Sequence, residues 1–151
     1  MTAAAASGDE FDRRMHRGAA LRLTLDRSVL DDPDVDSRSK FVIVLSALLP
    51  DEQVWFVMCT SKTQHFDANP RFVNDVLRWP AGEYQWCRTA VTLVDCTSVH
   101  HLPWDKLRDL FDRGQLMFVG DIRPDHLSQI DQITKASNYL SPEEKRWIVP
   151  W

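Results

Sequence analysis

The sequence predicts a mainly β fold with α contributions, a small antiparallel sheet decorated by short helices and a C-terminal helix. Three observations predict it. Runs of branched and aromatic residues, Phe41–Leu45, Val54–Thr60 and Thr89–Cys96, follow one another closely. The clearest helical spacing, Pro124–Ser137, comes late in the chain. The regular alternation of strand and helix that builds a parallel sheet is missing. With 151 residues the chain suits one domain and is long enough to bury a core.

The elements follow in order. Residues 1–20 are expected to be a flexible tail, Ala-rich and then charged, with Arg13, Arg14 and Arg17 close together. The single domain then spans residues 21–151. Leu21, Leu23 and Leu25 alternate with Arg22, Thr24 and Asp26, the period of a half-buried strand. Asp31–Ser39 is acidic, carries Pro33, and is expected to be a loop. Its Asp32, Asp34 and Asp36 resemble the start of a calcium loop, but Ser37 stands where the turn glycine belongs and Ile43 where the bidentate Glu belongs. Phe41–Leu45 is continuous and β-branched, which suits a strand covered on both faces. Pro50–Gln53 reads as a turn joining it to Val54–Thr60 in an antiparallel hairpin.

Asn69-Pro70 predicts a helix start, with Phe72, Val73, Val76 and Leu77 on one face and Trp79-Pro80 ending it. Thr89–Cys96 is the next strand. Pro103 opens a short helix with Leu107, Leu110 and Phe111 on one face, closed by Gly114. Gln115–Val119 is a short strand. In Pro124–Ser137, Leu127, Ile130, Ile133 and Ala136 recur every third residue. Ser141-Pro142-Glu143-Glu144 is a capping box that starts a terminal helical turn. These elements suit a small SH3-like antiparallel barrel.

Composition narrows the function. Hydrophobic residues make up 44%, charged residues 26%, and the net charge is −4. That balance disfavours a protein that coats DNA but leaves room for a small basic groove. No run approaches the roughly 18 apolar residues of a membrane-spanning helix. Ala3–Ala6 is too short for a secretory signal. Three cysteines without a CxxC favour a reducing, cytoplasmic setting.

Several residue groups could carry chemistry. Cys96, His100, His101 and His126 are zinc-competent, but adjacent histidines on a strand face opposite ways, so no metal site is expected. Cys59, His65 and Asp67 could assemble a thiol nucleophile, although Cys59 lies in the pattern of a buried strand. A glycine-rich phosphate loop and a Gly-x-Ser-x-Gly elbow are both missing. There remain Lys40, just before one core strand, and Thr60-Ser61-Lys62, just after the next. If these strands pair as a hairpin, both groups meet at one sheet edge. A cation, two hydroxyls and a second cation there suit an oxyanion or phosphodiester.

Ser39-Lys40-Phe41-Val42-Ile43-Val44-Leu45-Ser46, Thr60-Ser61-Lys62, Val94–Val99 and Phe118–Ile130 stand in an order that resembles the MazF/PemK/Kid family. These are ribonuclease toxins of bacterial toxin–antitoxin pairs, and the resemblance runs from about Lys40 to Ser137. It implies an SH3-like barrel, a homodimer, an antitoxin partner, and metal-independent cleavage of single-stranded RNA by 2′-hydroxyl attack, with no cofactor. It further implies that Lys40 stabilises charge on the phosphate and that Thr60 or Ser61 binds its oxygen. Arg38 and Lys62 are the implied RNA contacts. Lys40-Phe41 occupies the positions where the family carries Arg-Pro, with Arg38 two residues earlier.

A non-catalytic SH3-like interaction module is the alternative. Six tryptophans favour it, because Trp79, Trp86 and Trp104 fall at the edges of elements where an exposed ring would seek a partner.

Overall fold

A computed structural model describes residues 10–24, 39–47 and 53–148. Six strands form one antiparallel sheet: β1 (Ala19–Thr24), β2 (Ser39–Ala47), β3 (Gln53–Thr60), β4 (Val76–Pro80), β5 (Val91–Pro103) and β6 (Leu116–Asp121). Their spatial order is β4-β5-β3-β2-β1-β6. The fold is therefore mixed α/β with an antiparallel sheet, as the strand runs predict. It is not a closed barrel, because the edge strands β4 and β6 do not pair with each other.

The reason lies in how the faces are buried. A small barrel hides one face inside itself, whereas this sheet is packed on both sides. Val42 and Val44 of β2 join Leu21, Leu23, Val54, Phe56 and Leu102 in a core with Trp104, Leu107 and Leu110 of the helix Trp104–Asp112. Ile43 and Leu45, pointing the other way, join Ala20, Val57, Cys59 and Val94. Ile130 of the helix Pro124–Ala136 and Ile148 of the helix Pro142–Ile148 cover that side. Two buried faces require an unbroken apolar strand, which is what the Phe41–Leu45 run supplies.

The chain is packed earlier than the expected tail allows. Residues 10–14 are helical, and Phe11 and Met15 are 0% and 3% exposed. Phe11 meets Trp104 edge-on with ring centroids 5.1 Å apart. Arg17 forms an ion pair with Asp131 and donates to the Leu45 carbonyl at 3.0 Å. The tail reading fails from residue 10 onward, since two apolar side chains four residues apart share one helical face. Residues 1–9, the acidic loop between β1 and β2 and the expected Pro50–Gln53 turn lie outside the described residues, apart from Ser39 and Gln53 at their ends.

Two further expectations change. The helix expected from Asn69 to Leu77 is a 3-10 turn, Pro70–Phe72, after which Val76–Pro80 pairs along β5 as an edge strand. Pairing wins because Val76, Leu77 and Trp79 can pack on the sheet once the chain turns at Asp75, whose N–H donates to the Phe72 carbonyl at 2.9 Å. The strand expected to stop at Cys96 runs on to Pro103, placing His100 and His101 opposite Phe56 and Trp55. Two local signals hold. Ser141 N–H donates to Glu144 Oε1 at 2.9 Å and Glu144 N–H to Ser141 Oγ at 3.1 Å, a complete capping box. Gly114 has a φ of +74° just past the helix Trp104–Asp112. Among the described residues no helix is long and apolar enough to cross a membrane.

Candidate functional site

The hairpin of β2 and β3 brings its two open ends together. Phe41 lies opposite Cys59, and on the other side of β2 Arg22 lies opposite Phe41 and Leu23 opposite Lys40. β5 continues the rows, with Val94 opposite Cys59 and Leu93 opposite Thr60. A cavity of about 340 Å³ opens where these strand ends meet. Lys40, Thr60 and Ser61 all line it, so three of the residues singled out in the sequence converge. Strand alternation puts Ser39, Phe41, Cys59 and Ser61 on the face shared with Ile43. It puts Lys40 and Thr60 on the other, and both reach the cavity because it lies at the strand ends.

The cavity also gathers residues that sequence reading missed. Arg22 of β1, and Trp86, Arg88 and Thr89 from the connection between β4 and β5, complete its wall with Thr92 and Val119. Its lining holds three cations (Arg22, Lys40, Arg88) and five hydroxyls (Ser39, Thr60, Ser61, Thr89, Thr92), and among the described lining residues none is acidic. Nor does any described carboxylate form an ion pair with Arg22, Lys40 or Arg88. The aromatic part is Phe41 against Trp86, ring centroids 5.0 Å apart and tilted by 30°.

Thr60 is arranged as a donor. Its Oγ1 accepts the Lys62 N–H at 3.0 Å, which leaves the hydroxyl proton free to point at an oxyanion. Lys62 thus bears on the site through its backbone, and its side chain does not line the cavity. Arg38 lies outside the described residues. Cys59 forms part of the floor, where burial, with Cys87, Cys96 and Asp95 nearby, pushes its thiol well above the ordinary value. Burial likewise pushes Cys96 up to about 12. Protonated thiols of this kind are packing groups, and the suggested nucleophile at Cys59 loses its chemistry. Among the described residues no group of three or more His, Cys, Asp or Glu could hold a metal ion.

Behind the cavity wall lies a polar network that sequence reading also missed. Arg123 donates to Glu83 Oε1 at 2.6 Å and, through Nε, to Asp125 Oδ1 at 3.3 Å. Its backbone N–H donates to Tyr84 Oη at 2.8 Å, and Tyr84 Oη lies 2.7 Å from His126 Nδ1. These residues are distant in sequence and share no recognisable spacing. Pro124, fixing the start of a helix, and His126, read as zinc-competent, marked the place without showing the network. Trp79, Trp86 and Trp104 are 4%, 8% and 5% exposed, so all three are buried rings, of which Trp86 borders the cavity.

Comparison with family models, with curated proteins and with solved structures finds no match for the chain.

Proposed function

We propose that the protein is a metal-independent endoribonuclease of the MazF/PemK/Kid-like toxin kind, which cleaves single-stranded RNA at the cavity of Lys40, Thr60 and Ser61. One observation carries the reading: a sheet-end cavity in which three cations and five hydroxyls gather with no acidic residue in the described lining. That chemistry suits a phosphodiester.

In the proposed reaction the RNA 2′-oxygen bonds to the adjacent phosphorus and the bond from phosphorus to the 5′-oxygen breaks. The 2′-hydroxyl loses its proton to water and the leaving 5′-oxygen takes one from water. The products are a 2′,3′-cyclic phosphate and a 5′-hydroxyl. Lys40 and the Thr60 hydroxyl stabilise the charge that builds on the phosphorane oxygens, with Ser61 beside them, and Arg22 and Arg88 hold the flanking backbone. The open sheet departs from the closed SH3-like barrel of that family, so support for the reading comes from the site. On the same reading the partners are RNA, an antitoxin protein and a second copy of the chain, in the cytoplasm.

The test is purified protein with a long, weakly structured RNA in the presence of EDTA, beside Lys40→Ala and Thr60→Ala. Wild type is expected to leave cyclic phosphate ends, and each variant to cleave about a hundredfold more slowly. Undiminished cleavage by both variants removes the site assignment. If wild type cleaves nothing across a broad set of RNAs, the nuclease reading itself is lost.

A further inference from the structure

The cavity wall formed by Trp86, Arg88 and Thr89 belongs to residues 81–90, which contain no helix or strand. A wall without regular structure needs anchors: Phe41 and Trp79 meet the Trp86 ring, the Thr89 hydroxyl donates to the Val91 carbonyl at 2.9 Å, and Tyr84 supplies a further one. The rings of Tyr84 and Trp86 stack with centroids 5.5 Å apart and an interplanar angle of 13°. Tyr84 Oη in turn meets the Arg123 N–H and His126 Nδ1. His126 is only 7% exposed, and its ring stacks on Trp79 at 4.6 Å.

The proton on His126 can be placed by elimination. A guanidinium only donates, and Arg123 Nη2 lies 3.0 Å from His126 Nε2, so Nε2 must accept. The single proton of the neutral ring then sits on Nδ1 and is donated to Tyr84 Oη. A second proton on Nε2 would set two donors head to head. The new N–H would turn to Glu83 Oε1, 3.3 Å away, which already accepts from Arg123 at 2.6 Å.

We propose that Tyr84 and His126 are positioning residues of the cavity: neutral His126 holds Tyr84 and, through it, the Trp86–Thr89 wall, so protonation of His126 loosens the wall and weakens anion binding. The proposal rests on the anion-binding part of the function proposed above and not on cleavage. The charged and titratable groups facing His126 are Glu83 and Tyr84 from the connection, and Arg123 and Asp125 from the start of the helix Pro124–Ala136. β4 contributes only the uncharged Trp79. Burial first, and Arg123 second, hold His126 below its ordinary value, against the pull of Asp125 and Glu83. The change therefore falls on the acid side of neutrality.

The experiment uses the full chain and two readouts. The first follows the His126 ring and Trp86 indole signals by NMR from about pH 8 to 5, with Trp86→Phe to assign the indole. Both signals are expected to move with one midpoint. The second measures binding of a fluorescein-labelled oligouridylate and of inorganic pyrophosphate over the same range. Affinity is expected to fall about three- to tenfold through the midpoint, and Tyr84→Phe to lose a similar factor at neutral pH. His126→Asn can still donate to Tyr84 but takes no proton. Measured against its own affinity at neutral pH, it should abolish the fall. A Trp86 signal indifferent to His126 overturns the proposal, as does an unchanged fall in His126→Asn. Binding of pyrophosphate without oligouridylate overturns the RNA reading alone. If neither probe binds, the anion site beneath both readings is gone.

Discussion

Two charged regions of the molecule follow opposite rules. Around His126 every charge has a built-in partner: Arg123 serves Glu83, Asp125 and the His126 ring, and Tyr84 closes the set. In the cavity, Arg22, Lys40 and Arg88 stand together with no described carboxylate paired to them. Like charges gathered without counter-ions repel one another and weaken the folded state. On the proposed function, that arrangement serves a ligand of opposite sign. The paired region is then architecture, and the region unpaired among the described residues is the proposed ligand site.

The largest effects should separate the two. Trp79→Ala, which removes the ring stacked on His126, is expected to cost about 3–5 kcal/mol in urea unfolding. The double variant Arg22→Glu/Lys40→Glu should lose more than about a hundredfold in affinity for labelled oligouridylate while its stability stays within about 0.5 kcal/mol. If the reversal unfolds the protein, or Trp79→Ala leaves stability untouched, the division into architecture and ligand site is wrong. A finer measurement counts the cations. Three phosphate contacts to a single strand give a slope of log affinity against log salt of roughly −2, and Arg88→Ala should reduce its steepness by about 0.7. An unchanged slope would remove Arg88 from the contact surface.

How much of this was legible depended on whether the signal was local. The β2–β3 hairpin was readable because strand composition and turn residues are local, and with it came the meeting of Lys40 with Thr60 and Ser61. Arg22 was visible as the polar position of an alternating strand, yet its place opposite Phe41 depends on β1 pairing with β2, which no local pattern states. Arg88 and Thr89 reach the cavity from a connection whose Tyr84 meets His126, 42 residues on, a contact that no local pattern states. The open sheet was missed for a related reason. Period-two alternation shows that a strand has two faces, but it does not reveal that helices from both chain ends cover them. The β4 error was a competition between propensity and pairing, and pairing with β5 prevailed.

The smallest expected effect tests the paired region through acid. His126 is held below the ordinary value of about 6.5, so as pH falls the unfolded chain takes this proton before the folded one does. The stabilisation is thus fully present above about pH 6.5 and is lost as pH drops through the lowered folded value. Two carboxyls also contribute. At Asp125, burial acts upward but the hydrogen bond and charge of Arg123 outweigh it, so its contribution is lost only in stronger acid. Asp75, raised by burial, works in the opposite sense. The difference between wild type and His126→Asn in thermal unfolding between about pH 7 and 5 should therefore isolate His126, with wild type losing more stability across that window. A wild-type curve parallel to that of His126→Asn would mean that His126 keeps an ordinary value in the folded chain. The proton assignment that ties it to Arg123 and Tyr84 would then be wrong.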